Sequence, residues 1–206
     1  MQRTFANGFT ESNHAGDMDL VKNTRFFREN RKSMGRFDIN YFTLNAVVAR
    51  KSSSGKHTNH DFEFHGCWLA LNVLIIQNAV VDAELNPEDI GYINAHGTGT
   101  RLNDPLECRA IHKIFGDRAS TLPVSSNKSV FGHAMGASSA LEALATLLAV
   151  QNDCVPPTLN CDEQDPECDI DPVPTNSRKL KIEAALSNSF AFGGSNAVLA
   201  IRKWNP

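Results

Sequence analysis

Residues 124–152 read VSSNKSVFGHAMGASSALEALATLLAVQN, and this stretch decides the fold. Its first residues, with LP before them, have the character of a buried strand. Lys128 and His133 follow, and then comes a run of glycine, alanine and serine that predicts a helix beginning at His133. Beyond His133 the only charged side chain to Asn152 is Glu142. A helix that is apolar or small on every side has to be covered on every side. One sheet covers a single face, so either residues 1–44 or another polypeptide must cover the rest. A lysine and an imidazole at the mouth of such a helix suit a buried reaction site. They equally suit an ordinary strand–loop–helix junction with a solvated lysine, and the surrounding chain has to decide between the two.

Working outward, residues 66–85 (GCWLALNVLIIQNAVVDAEL) are apolar on most faces and predict a largely buried helix. NPEDI supplies Asn86 as a cap and Pro87 at the first position of a short turn. IGYINA predicts a strand stopping at His96. In NDPLECRAIHKIFGD, Asp104 is the expected N-cap, Glu107 takes the capping-box position and Gly116 ends the helix. AALSNS and NAVLAIRKW predict two closing strands joined by FAFGGSN, and NAVVARK predicts a strand before a polar loop. Residues 1–44, with the basic run KNTRFFRENRKSMGR, show no clean period and are expected to be an arm, a poorly ordered tail or a recombined scrap. The alternation of strands and helices indicates an α/β layered fold with a mixed sheet.

The bulk numbers narrow the function classes. A chain of 206 residues with 41% hydrophobic and 21% charged residues has the composition of a globular protein with a real core. Its formal net charge of -3 argues against nucleic-acid binding. No apolar run reaches membrane-spanning length, and the first twenty residues lack the apolar core of a secretory signal, so a cytoplasmic setting is expected. Five cysteines without a CxxC pair do not suggest a disulfide framework. HTNHDFEFHGC gathers His57, His60, His65 and Cys67, but at spacings that match no usual zinc pattern, so no metal site is expected.

Three strands end in loops of similar character: NAHGTGT, NKSVFGHAMG and FAFGGSN. In open α/β sheets ligands bind at the carboxyl ends of strands, so these loops are expected to converge on one pocket.

INAHGTGTRLNDPLE, VSSNKSVFGHAMGASSALEA, VPPTLN, DPECDIDPVP and ALSNSFAFGGSNAVL together resemble the C-terminal half of a β-ketoacyl-acyl-carrier-protein synthase, an elongating condensing enzyme, with polyketide ketosynthases next. The resemblance is dense from about residue 66 and extends from about residue 45. It implies a thiolase-like layered fold, present as its C-terminal half only, with a mixed sheet and a largely buried central helix. It also implies a division into residues 1–44 and a synthase domain at 45–206. The implied reaction is decarboxylative Claisen condensation in fatty-acid or polyketide synthesis. The implied partner is acyl carrier protein, whose phosphopantetheine arm carries the substrate, with no further cofactor. By position, His96 and His133 would be the paired imidazoles that hydrogen-bond the malonyl thioester oxygen. Lys128 would support them, linked to Glu142. Thr98 and Thr100 would bind the pantetheine arm, and Phe192 with Gly193 and Gly194 would form a gate.

The chain departs from that pattern twice. Ala191 stands where the family has glycine between two phenylalanines, which puts gating in doubt. The family's nucleophilic cysteine lies in its first half, and no cysteine here has that setting. Cys67 sits in an apolar helix and Cys108 in a capped one. Three readings stay open: a truncated or split transferase, a non-catalytic partner that docks on a synthase or carrier protein, and a remnant that folds poorly. A homo-oligomer, or a complex with the missing N-terminal half, would cover the apolar helix.

Overall fold

The computed structural model describes residues 18–22, 42–51, 61–191 and 195–203. A six-stranded mixed sheet in the order β1-β2-β8-β7-β3-β4 forms its middle layer. The strands are β1 (Met18–Lys22), β2 (Phe42–Lys51), β3 (Ile90–Asn94), β4 (Val124–Ser125), β7 (Ala184–Ser189) and β8 (Asn196–Lys203), while β5 (Cys154–Val155) and β6 (Arg178–Lys179) pair separately. Strands β4, β3 and β7 run parallel, and β8 is antiparallel to β7 and to β2. Helices α1 (Asp61–Asp82) and α2 (Asn103–Phe115) lie on one face, and α4 (Ser138–Asn152) lies on the other. A single turn, α3 (Lys128–Phe131), follows β4. The expected order of strands and helices is therefore present, as is the mixed sheet.

Alternation along the strands separates the two sides. Ala184 and Leu186 of β7 point into the cluster formed with Ile75, Ile76 and Ile111, while Ala185 joins Tyr92, Val150 and Ile201 under α4. Because both faces are covered, the first five residues of β7 are all buried, as a strand between two helix layers requires. Each fully buried isoleucine of α1 contributes roughly 1.5–3 kcal/mol relative to exposure. Asp153 ends α4 in the left-handed region, and its carboxylate accepts from Ile182 N and Lys203 Nζ, tying the helix end to the sheet.

Several boundaries differ from expectation for identifiable reasons. α1 begins at Asp61 rather than near residue 66, because polar residues continue the first turns ahead of the apolar run. β2 begins at Phe42 and β1 lies within residues 1–44, since antiparallel pairing extends the sheet beyond the segment that reads as a strand. The helix expected to begin at His133 is broken: Gly132, at φ +77, ends α3, a 3₁₀ turn spans Met135–Ala137, and α4 starts only at Ser138. Asn86 takes the expected cap position of the 3₁₀ turn Pro87–Asp89, where its backbone N–H donates to the Asp89 carboxylate. At α2 the expectation fails: the N-cap position is Leu102, and Asp104 instead accepts from Gly99 N. The polar loop at 52–60, with His57 and His60, lies outside the described residues, as do the side chains of His65 and Cys67.

The expected lack of cover on the long helix has a structural counterpart. One side of α4 packs on the sheet, and on the other Leu141, Leu144 and Leu148 are exposed, 56% at Leu144. No described element covers them.

Candidate functional site

The three glycine-bearing loops leave neighbouring strands, β3, β4 and β7, and bring their side chains together. The His96 and His133 rings lie edge-to-face with centroids 6.0 Å apart, and Phe190 packs 5.6 Å from His96. Lys128 Nζ reaches His96 Nδ1 at 3.3 Å and donates to His96 O at 2.5 Å. On its other side Nζ contacts Glu142 Oε1, with the lysine side chain 5% and the glutamate 1% exposed. Glu142 Oε2 has no hydrogen-bond partner among the described residues, so Lys128 is the cation that compensates this carboxylate. Burial pushes the Glu142 carboxyl above its ordinary value, against the pull of the neighbouring ammonium.

The bonding fixes where the imidazole protons sit. His133 Nδ1 accepts from Met135 N at 3.1 Å, and a backbone amide can only donate, so the ring proton lies on Nε2. His96 Nδ1 faces the Lys128 ammonium, which places its proton on Nε2 as well. Burial, then the charges of Lys128 and His133, push the His96 pKa down to about 3, so that ring is neutral at pH 7. Two imidazoles with N–H donors at Nε2 thus lie with their ring centroids 6.0 Å apart. A cavity of about 480 Å³ opens beside His133, with Gly97, Thr98 and Lys128 also in its wall.

The loop carrying His96 is held from beneath. Glu107, expected as a helix cap, is a buried carboxylate that accepts from His96 N at 2.9 Å, Gly97 N at 3.0 Å and Asn188 Nδ2 at 2.9 Å. It departs from the capping-box role because the chain between β3 and α2 folds back over the first turn of the helix. Ser126 Oγ donates to Gly97 O, and Ser126 N donates to Thr158 Oγ1, which ties in the VPPTLN segment. Gly97 lies at φ +40, and a Cβ there would sit 2.5 Å from Ser126 Cβ. Thr98 and Thr100 join through their hydroxyls at 2.9 Å, with only Thr98 on the cavity wall.

The structure therefore brings His96, Lys128, His133, Glu142 and Thr98 together and leaves Thr100 at the rim. Phe192, Gly193 and Gly194 lie outside the described residues. Glu107, Ser126 and Ser138 escaped sequence reasoning. For Glu107 a signal existed: it precedes Ala110 and Ile111 by three and four residues, on the stripe α2 buries, where a solvated acid is out of place. Cys108 lines the cavity, but burial pushes its thiol up, away from the thiolate a nucleophile requires. Among the described residues no three histidine, cysteine or acidic side chains gather in a way that could hold a metal ion, and no helix is long and apolar enough to cross a membrane.

Layers, strand order and this histidine–lysine–glutamate cluster define a thiolase-like α/β protein present as one half of that fold. Residues 50–162, just over half of the chain, match the family described as Beta-ketoacyl synthase, C-terminal domain, and the chain belongs to that family. Nodulation protein E of Rhizobium meliloti is 51% identical over 124 residues, 60% of this chain and 31% of that protein. A 3-oxoacyl-[acyl-carrier-protein] synthase 2 of Synechocystis is 52% identical over 126 residues, 61% of this chain and 30% of the relative. A solved type II polyketide ketosynthase in complex with its acyl carrier protein superimposes with a TM-score of 0.66 at 32% identity, covering 76% of this chain and 37% of the other. The chain thus spans about a third of the length of the curated relatives it matches.

Proposed function

We propose that this chain carries the malonyl-decarboxylating half of a β-ketoacyl-acyl-carrier-protein synthase site. The observation that carries the proposal is the pair of imidazoles, each with Nδ1 engaged and Nε2–H free to donate. At a centroid spacing of 6.0 Å, one thioester oxygen can lie within hydrogen-bond reach of both. When the malonyl carboxylate leaves as carbon dioxide, its electron pair moves into the thioester and the oxygen becomes an enolate. Donors aimed at that developing charge in a partly desolvated site act as an oxyanion hole. Burial and then the Lys128 charge keep His96 neutral, Lys128 also orients it, and Glu142 compensates the lysine. In this reading residues 45–206 form the synthase domain, preceded by an N-terminal segment at residues 1–44. Thr98 and Thr100 take the pantetheine arm of acyl carrier protein, and Phe192, Gly193 and Gly194 form the gate. The setting is the cytoplasm, and no other cofactor is called for.

Condensation needs an acyl group on an activated nucleophile, and among the described residues the cysteine on the cavity wall, Cys108, has its thiol pushed up by burial. The chain is accordingly expected to release carbon dioxide from malonyl-carrier protein without making β-ketoacyl product. Carbon dioxide release from labelled malonyl-carrier protein tests this: His96→Ala or His133→Ala should lower the rate by roughly 10²–10³-fold. Equal rates in all three proteins would overturn the assignment. The exposed leucine face of α4 favours a second reading, a non-catalytic subunit that docks on a synthase. Carbon dioxide release at the uncatalysed rate, with stable binding to a full-length synthase, would support it.

A further inference from the structure

Ser138 opens α4 and is 4% exposed, yet the helix makes no use of its hydroxyl: Ala137 is the N-cap residue, and no side-chain cap bond is present. Among the described residues the hydroxyl has one hydrogen-bond partner, His133 Nδ1, at 3.1 Å. A buried polar group with a single partner is held in place for that partner, since alanine would serve the helix better. Met135 N reaches the same nitrogen, but it lies two residues from His133 in the same turn and moves with it. Met135 itself sits at φ +50 with its side chain 75% exposed, so packing does not anchor that turn. Ser138 belongs instead to α4, and one helical turn further along the same face stands Glu142, which holds Lys128 and through it His96.

We infer that Ser138 is a positioning residue: its hydroxyl donates to His133 Nδ1 and keys that imidazole to the helix that fixes His96. Ser138 and Glu142 would then set the spacing and the shared Nε2–H tautomer of the two rings. The inference rests on the reading of the imidazoles as paired donors, but its test requires no substrate and no turnover.

The chain labelled with 15N at histidine, with His133 assigned by loss of its signals in His133→Gln, reports the tautomer directly from the ring nitrogen shifts. Loss of one hydrogen bond to Nδ1 should lower the ratio of Nε2–H to Nδ1–H forms roughly fivefold in Ser138→Ala. Ser138→Cys, of similar size but a weak donor, should shift it the same way, and Ser138→Thr should restore the wild-type ratio. Unchanged backbone amide signals along α4 would show that the helix itself is undisturbed. A wild-type ratio in both Ser138→Ala and Ser138→Cys would overturn the inference by showing that the Met135 amide suffices. A threonine variant as shifted as alanine would overturn it too. If the chain proves unable to decarboxylate malonyl thioesters, the tautomer result still stands or falls by itself.

Discussion

Lys128 and Glu142 meet in the interior, joining the turn after β4 to the middle of α4. Removing one partner of a buried ion pair leaves the other charge uncompensated and costs about 3–5 kcal/mol, whereas replacing both with apolar residues of similar size is often neutral. Lys128→Met and Glu142→Leu are each expected to destabilise the chain strongly. The double variant should lose clearly less than the two combined. Urea unfolding of the four proteins provides the cycle, and additive losses would show that the contact carries no coupling.

Glu107 accepts from His96 N and Gly97 N on the loop after β3 and from Asn188 of β7, so an amide cannot replace it: glutamine turns an NH₂ toward groups that themselves donate. Glu107→Gln should cost about 1–3 kcal/mol. It should also speed hydrogen exchange at the His96 and Gly97 amides selectively, which native-state exchange by NMR can measure.

The low pKa of His96 has a definite sign. The unfolded chain binds a proton near the ordinary histidine value of 6.5, while the folded site resists it down to about 3. Through that window the unfolded state holds more protons, so stability falls as pH drops, by at most about 1.4 kcal/mol per pH unit. Glu107 and Glu142, raised by burial, act in the opposite sense: their contribution is present below the ordinary carboxyl range and is lost as pH rises through their folded values. Comparing wild type with His96→Gln isolates the histidine. The variant's stability should depend less steeply on pH between 6.5 and 4, as read by denaturant midpoints.

Leu141, Leu144 and Leu148 expose one side of α4, and contiguous apolar surface of that kind marks an association site. The chain alone is expected to self-associate or to bind a polypeptide resembling the family's first half. Light scattering coupled to size exclusion should report an oligomer, and Leu144→Glu should shift it toward monomer. A compact monomer that binds no dye for apolar surface would contradict this.

Much of this architecture was legible because its signals are local. The apolar run after Trp68, the cap at Asn86 and Gly116 at the end of α2 each report their own turn. His96, Lys128 and His133 could be singled out because titratable groups beside glycines at strand ends have few structural uses. What stayed hidden depends on contacts distant in sequence. Glu107 reads as a cap because Asp104 and Pro105 precede it, and only the return of the His96 loop and the approach of Asn188 turn it into a buried acceptor. Ser138 is one serine among small residues until the break at Gly132 sets His133 against it. β1 was illegible because pairing with β2, rather than its own pattern, makes it a strand.

Gly97 and Gly99 both lie at positive φ, but they differ in what surrounds them. Beyond Gly99 there is open space, so an asparagine, which tolerates this backbone, has room for its side chain. At Gly97 Ser126 occupies the place where any side chain would begin. Two glycines on either side of Thr98 therefore differ in how freely they can drift through generations of mutation. The first can change only if position 126 gives way, so the turn beside His96 is held to glycine by a residue two positions ahead of Lys128.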